Sequence, residues 1–82
     1  MVQSKELLEV SIFTPDGTLF QGNAHSVVLP GEQGVFEVLP HHKFLMSRLF
    51  PGEILIDDRS VSIQRGMVRV ASDVVRAIVE IA

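Results

Sequence analysis

The chain has 82 residues, 46% of them hydrophobic, which is enough for one core and too few for two, so residues 1–82 are expected to form a single domain. There is no cysteine, so neither a disulfide framework nor a cysteine-based metal cage is available and packing must hold the fold. Seven basic against ten acidic residues give a net charge of -3, the wrong sign for tracking phosphate backbones, and no nucleic-acid partner is expected.

The opening MVQSKELLEV carries Lys5 and Glu6 together and lacks an apolar stretch ending in a small-residue cleavage site, so no signal peptide is expected. No apolar run approaches the roughly 18 residues that span a bilayer, and any membrane association is expected to be indirect. From there the pattern is period-two alternation. Leu8, Val10 and Ile12 alternate with Glu9, Ser11 and Phe13, and further on Val61 and Ile63 alternate with Ser60, Ser62 and Gln64. In VVRAIVEI, Val75, Ala77, Val79 and Ile81 fall on one face, while Arg76 and Glu80 share the other with Val74 and Ile78. Its β-branched content favours a strand over a helix. Turn signals separate the runs at Pro15-Asp16-Gly17, Pro30-Gly31, Pro51-Gly52 and Asp57-Asp58. Strands are therefore expected at about residues 6–14, 18–22, 25–29, 35–39, 43–49, 53–57, 60–65, 67–71 and 74–81. In HHKFLMSRLF, Phe44, Leu45, Leu49 and Phe50 also fit the stripe of a short helix, and the extended reading is preferred. The expected fold is all-β, a flattened antiparallel β-sandwich or barrel of about nine or ten short strands.

Candidate chemistry is sparse. His25, His41 and His42 with Glu32 or Glu37 offer imidazole and carboxylate, but adjacent residues on a strand point to opposite faces, and a metal centre needs three or four converging groups. No serine has a G-x-S-x-G elbow or a histidine and acid in recognisable order. Asp57-Asp58, between two alternating runs, fits a hairpin turn better than a catalytic carboxylate pair. Gly31-Glu32-Gln33-Gly34 has G-x-x-G spacing, yet Glu32 puts an anion where a phosphate loop needs donors; an exposed loop tip available to a protein partner is expected instead. Asp73-Val74-Val75-Arg76-Ala77 has D-x-x-R-A spacing, but on a strand residues three apart project from opposite faces. No catalytic residue, cofactor or metal ligand is assigned, and the chain is not expected to be an enzyme.

The stretch VVLPGEQGVFEVLPHHKFLMSRLFPGEI resembles, in order and spacing, the signature of the epsilon subunit of F-type ATP synthases. There a V-x-L-P-type strand and an acidic glycine loop lead into G-x-x-P-G-H-A-P-L-L and then P-G. Upstream, Ile12, Pro15, Gly17, Phe20 and Gly22 are similar to the family's V-x-x-P-x-G-x-x-[YF]-x-G opening, and IQRGMVRVASDVVRAIVEIA resembles the strands around its S-G-G-x-x-E-V motif. The chain departs from the pattern at several places. His41 and Glu37 replace common glycines, Phe44 replaces a proline, Gln64 and Arg65 replace the Ser-Gly of S-G-G, and Val35 stands where many relatives have an acid.

The resemblance implies the amino-terminal β-sandwich of a rotor subunit: no chemistry of its own, clamped to the gamma subunit in the central stalk and resting on the polar loops of the c-ring. It places Glu32, Gln33 and Val35 toward the c-ring and His42 with Leu45 toward gamma. Glu32 is a candidate to replace the acid missing at Val35. The implied location is peripheral, on the cytoplasmic face of a bacterial inner membrane or an equivalent energy-transducing membrane, with membrane contact only through the complex. Relatives usually continue into a two-helix hairpin that restrains ATP hydrolysis; these 82 residues stop at Ala82, and inhibition by that mechanism is not expected of them. Two other readings stay open: a stand-alone β-sandwich with a small-ligand or metal site at the His41/His42 loop, and a paralogue that kept the fold and lost the machine.

Overall fold

A computed structural model describes residues 6–82 and has strands but no helix among them. The strands are β1 (Leu8–Thr14), β2 (Gly17–Ala24), β3 (Val27–Gly31), β4 (Gly34–Val38), β5 (Leu45–Leu49), β6 (Gly52–Ile56), β7 (Arg59–Ala71) and β8 (Val74–Ile81). They follow the order β2-β1-β8-β7-β5-β3-β4, and β6 pairs with both β3 and β7. That bridging folds the sheet back on itself, so its two halves bury their apolar faces against each other.

The alternation read from the sequence is what fills the core. Leu8, Val10 and Ile12 of β1, Ile63, Val68 and Val70 of β7, and Val75, Ala77 and Val79 of β8 are all buried, joined by Leu29, Leu49, Ile54 and Ile56 from the other half. Each fully buried aliphatic side chain of this size contributes about 1.5–3 kcal/mol. Ile81, on the same face of β8 as Val79, lies past the edge of the core and is exposed. HHKFLMSRLF is extended where it is regular: residues 40–44 form a turn and loop, and the strand begins at Leu45.

Two features differ from the expected arrangement. The segments predicted as 60–65 and 67–71 are one strand, β7, which runs through the break. Its first half pairs with β6 and its second with β5, and the ladder to β8 shifts register between Ile63 and Arg65, leaving Gln64 as the extra residue of a bulge. A bulge adds bend and twist, so one strand serves both layers. A Cβ on Gly66, just past the bulge, would lie 2.5 Å from the Ile78 carbonyl oxygen and 2.9 Å from Val79 Cγ1. Only glycine admits β8 this close, which gives a physical reason for the one glycine kept from the S-G-G pattern. The second difference is that β1 and β8 pair in parallel, Glu9 opposite Val74 through Phe13 opposite Ile78, whereas the other ladders are antiparallel.

Both long-strand turns use left-handed residues. Ser72 and Asp73, which join β7 to β8, have φ of 51° and 63°, as a two-residue type I′ hairpin requires, and Asp57 at the β6–β7 turn has φ of 53°. Aspartate tolerates this region better than most side chains.

Candidate functional site

The β3–β4 hairpin turns on Glu32 and Gln33, with Gly31 opposite Gly34. The two glycines serve different purposes. Gly34 takes φ of 120°, while Gly31 is needed for space, because a Cβ there would lie 2.7 Å from the Phe36 ring. The G-x-x-G spacing is thus accounted for by a tight turn and by a ring folded over it. Beside the hairpin runs β5, and His42 sits at the mouth of the loop between β4 and β5. Together the hairpin, His42 and Leu45–Ser47 line an open groove of about 530 Å³.

All five residues assigned from sequence border this groove: Glu32, Gln33, Val35, His42 and Leu45. Their environments differ. Val35 is 73% exposed, whereas Leu45 is half-buried and packs against the core. Glu32 is not a bare anion at the tip, since its carboxylate lies 3.7 Å from the Arg48 guanidinium, with both side chains well exposed. An ion pair in that setting is worth little, and its two charges are partly screened by solvent.

The two adjacent histidines separate, and a left-handed turn at His41 (φ of 71°), not strand alternation, sends them apart. The His42 ring nitrogen Nδ1 lies 2.7 Å from the Lys43 carbonyl, while His41 Nε2 lies 2.9 Å from Glu6 Oε1. His25 joins neither. The backbone amides of His25 and Ser26 both donate to the Asp57 carboxylate at 3.0 Å, and the His25 ring lies 3.6 Å from it. The His25 amide, helped by the Ser26 amide and the His25 ring and opposed in part by desolvation, holds the Asp57 carboxyl below its ordinary range. Asp57 is therefore a clasp between the β6–β7 turn and the β2–β3 corner. Asp73 lies in the β7–β8 turn and Arg76 is exposed along β8, so the D-x-x-R-A spacing makes no joint site.

Sequence reasoning assigned no role to the outer face of β5, β7 and β8. There Met46 stands opposite Arg69, Arg48 opposite Met67, Met67 opposite Ile78 and Arg69 opposite Arg76. Ile78 is 62% exposed and Met46 55%. The Arg69 guanidinium lies 5.5 Å from the centre of the exposed Phe44 ring. The face runs into a second, mostly apolar groove of about 700 Å³ bounded by Phe50, Pro51, Gly66, Met67 and Ile78. Its signal was present in the sequence, since Ile78 falls on the polar side of the last strand.

Residues 7–82 match the family described as ATP synthase, Delta/Epsilon chain, beta-sandwich domain. The chain belongs to this family. It is 42% identical over 80 residues to an ATP synthase epsilon chain from a Nitratiruptor species, covering 92% of this chain and 62% of that one. The ATP synthase epsilon chain of a Sulfurovum species is 38% identical with the same coverage. The chain thus spans about three-fifths of the length of these relatives. Among solved structures the fold is similar to a chain of the Euglena gracilis mitochondrial ATP synthase (OSCP/F1/c-ring), with a TM-score of 0.78, 18% identity and coverage of 95% of this chain and 53% of that one. A chain of the Tetrahymena thermophila mitochondrial ATP synthase central stalk/c-ring gives a TM-score of 0.73 at 14% identity, covering 95% and 66%. At these identities the likeness is one of fold, and the all-β sandwich is common to the family.

Proposed function

We propose that the chain is a non-catalytic central-stalk component of an F-type ATP synthase, which binds the gamma subunit laterally and contacts the c-ring through its β3–β4 hairpin. The observation that carries this reading is the unpartnered outer face of β5, β7 and β8. Exposed Met46, Met67 and Ile78 alternate there with Arg48, Arg69 and Arg76, and the face adjoins the groove that gathers His42, Leu45 and the hairpin. Methionine and arginine are the residues enriched at protein interfaces, and this face offers both. The gamma surface that fits it is apolar with acidic groups at its rim. Glu32, Gln33 and Val35 at the hairpin are directed to the c-ring, the contact leaning on shape and hydrogen bonding more than on a fixed charge, because Val35 is apolar and Glu32 is shared with Arg48.

In this role the protein is a peripheral part of a membrane complex, on the cytoplasmic face of a bacterial inner membrane or its equivalent. Torque passes through it as through a rigid spacer, for which a cross-braced sandwich is suited. The test is co-expression with the cognate gamma subunit followed by size-exclusion chromatography. Co-elution in a one-to-one complex is expected; separate elution at micromolar concentration refutes the assignment.

A further inference from the structure

Three chain segments that are far apart in sequence bring one metal-ligating group each to a single point. Glu6 precedes β1, His41 lies in the β4–β5 loop and Asp73 in the β7–β8 turn, and one ligand atom from each lies within 4.8 Å of the others. We propose that Glu6, His41 and Asp73 form a binding site for a divalent transition metal ion of the zinc class, with solvent completing the coordination. This site is independent of the stalk assignment and does not involve His42.

The geometry fits such an ion with little rearrangement. Zinc bonds to imidazole nitrogen and carboxylate oxygen at about 2.0–2.2 Å, so ligand atoms around a tetrahedral centre lie about 3.3 Å apart. His41 Nε2 and Glu6 Oε1 are 2.9 Å apart, and a small outward movement of two exposed side chains admits the ion between them. Two carboxylates balance the charge of a divalent cation, and the imidazole selects a borderline metal over magnesium or calcium, which take oxygen ligands.

The backbone holds the third ligand in place. Asp73 Oδ1 accepts a hydrogen bond of 2.6 Å from the His41 amide, which fixes the carboxylate beside the loop and leaves its second oxygen for a metal. Both residues are left-handed, with φ of 71° at His41 and 63° at Asp73, so each ligand sits at a tight turn of the backbone. That amide contact is the kind of supporting hydrogen bond that orients a ligand. The family pattern has glycine at position 41. Glycine supports the same backbone conformation but supplies no ligand, so the site belongs to the histidine this chain carries. Metal there ties the segment ahead of β1 to two turns and pins the loop whose next residue, His42, borders the partner groove.

The experiment is calorimetric titration of the 82-residue chain with zinc chloride in metal-free buffer, paired with thermal unfolding with and without zinc. One ion per chain is expected, together with a rise in the unfolding midpoint that EDTA reverses. Glu6→Gln and His41→Asn should each weaken binding at least tenfold. Asparagine suits a left-handed position, and Glu6 lies ahead of the first strand, so both variants should keep the wild-type circular dichroism. His25→Ala, with its ring on the distant Asp57 clasp, should bind as wild type does. No heat at millimolar zinc, or affinity that survives both Glu6→Gln and His41→Asn, overturns the proposal.

Discussion

Replacing Gly66 by alanine tests the account of how β7 and β8 meet. The added methyl would stand 2.5 Å from the Ile78 carbonyl oxygen, 2.9 Å from Val79 Cγ1 and 3.1 Å from Val79 Cα, and two of these three atoms are backbone. Backbone in the middle of a sheet cannot swing aside as a flexible side chain does, so the ladder must open or the strand must shift. Overpacking of this kind costs about 1–3 kcal/mol or more, while alanine recovers about 0.4–1 kcal/mol by restricting the unfolded chain, so the net loss is about 1–2 kcal/mol. For a domain of this size that lowers the thermal midpoint by about 4–16 °C. The control is Gly22→Ala on β2, where the new methyl would meet only the Phe20 ring at 3.4 Å, an ordinary contact. Thermal melts followed by circular dichroism should therefore separate two nominally identical substitutions. Equal midpoints for Gly66→Ala and Gly22→Ala would mean that close approach is not what position 66 requires.

Ile54 is fully buried, and Ile54→Ala should cost about 2–5 kcal/mol in urea unfolding, whereas Ile54→Val should cost about 0.5–1.5 kcal/mol. Because the Asp57 carboxyl is held below its ordinary range when folded, its contribution is present above the unfolded value of about 3.9 and lost as pH falls through the lower folded value. Stability should accordingly fall more steeply below about pH 4 in the wild type than in Asp57→Asn, measured by urea unfolding across that range. Met46→Asp should leave the melt unchanged and weaken gamma binding by at least about tenfold, or 1.4 kcal/mol, in a titration assay; unchanged affinity would exclude the outer face. Leu45→Asp is the poorer probe, since Leu45 packs against the core and a charge there disturbs fold and contact together.

Much of the sandwich was readable because each strand buries one face, and a one-sided strand advertises itself by period two. Leu8, Val10 and Ile12, or Val75, Ala77 and Val79, could be placed inward from their spacing alone. What the spacing could not carry was topology. The parallel pairing of β1 with β8 depends on which distant strand fills the space beside β1, and local alternation is silent on that. Position 66 was misread for a related reason: glycine in a strand usually marks a break, and here it marks a close approach inside a continuous, bulged strand. The β3–β4 turn was legible from the Gly31–Gly34 spacing between two apolar runs, but the groove beside it was not. The Glu6, His41 and Asp73 grouping was not, because its members come from three separate segments whose meeting is a product of the fold. His41 and His42 invited joint consideration by adjacency, and the backbone sends them to different neighbours.

The pairing of the first strand with the last also sets a schedule for synthesis. β1 and β2 emerge first and can form a hairpin, but the other edge of β1 stays open until β8 has left the ribosome. Closure of this domain therefore waits on the residues through β8, and this high contact order predicts a slow final step. During the wait Val10 and Ile12 lie on an unprotected hydrophobic ribbon, where a nascent chain is most exposed to wrong pairing with a neighbour.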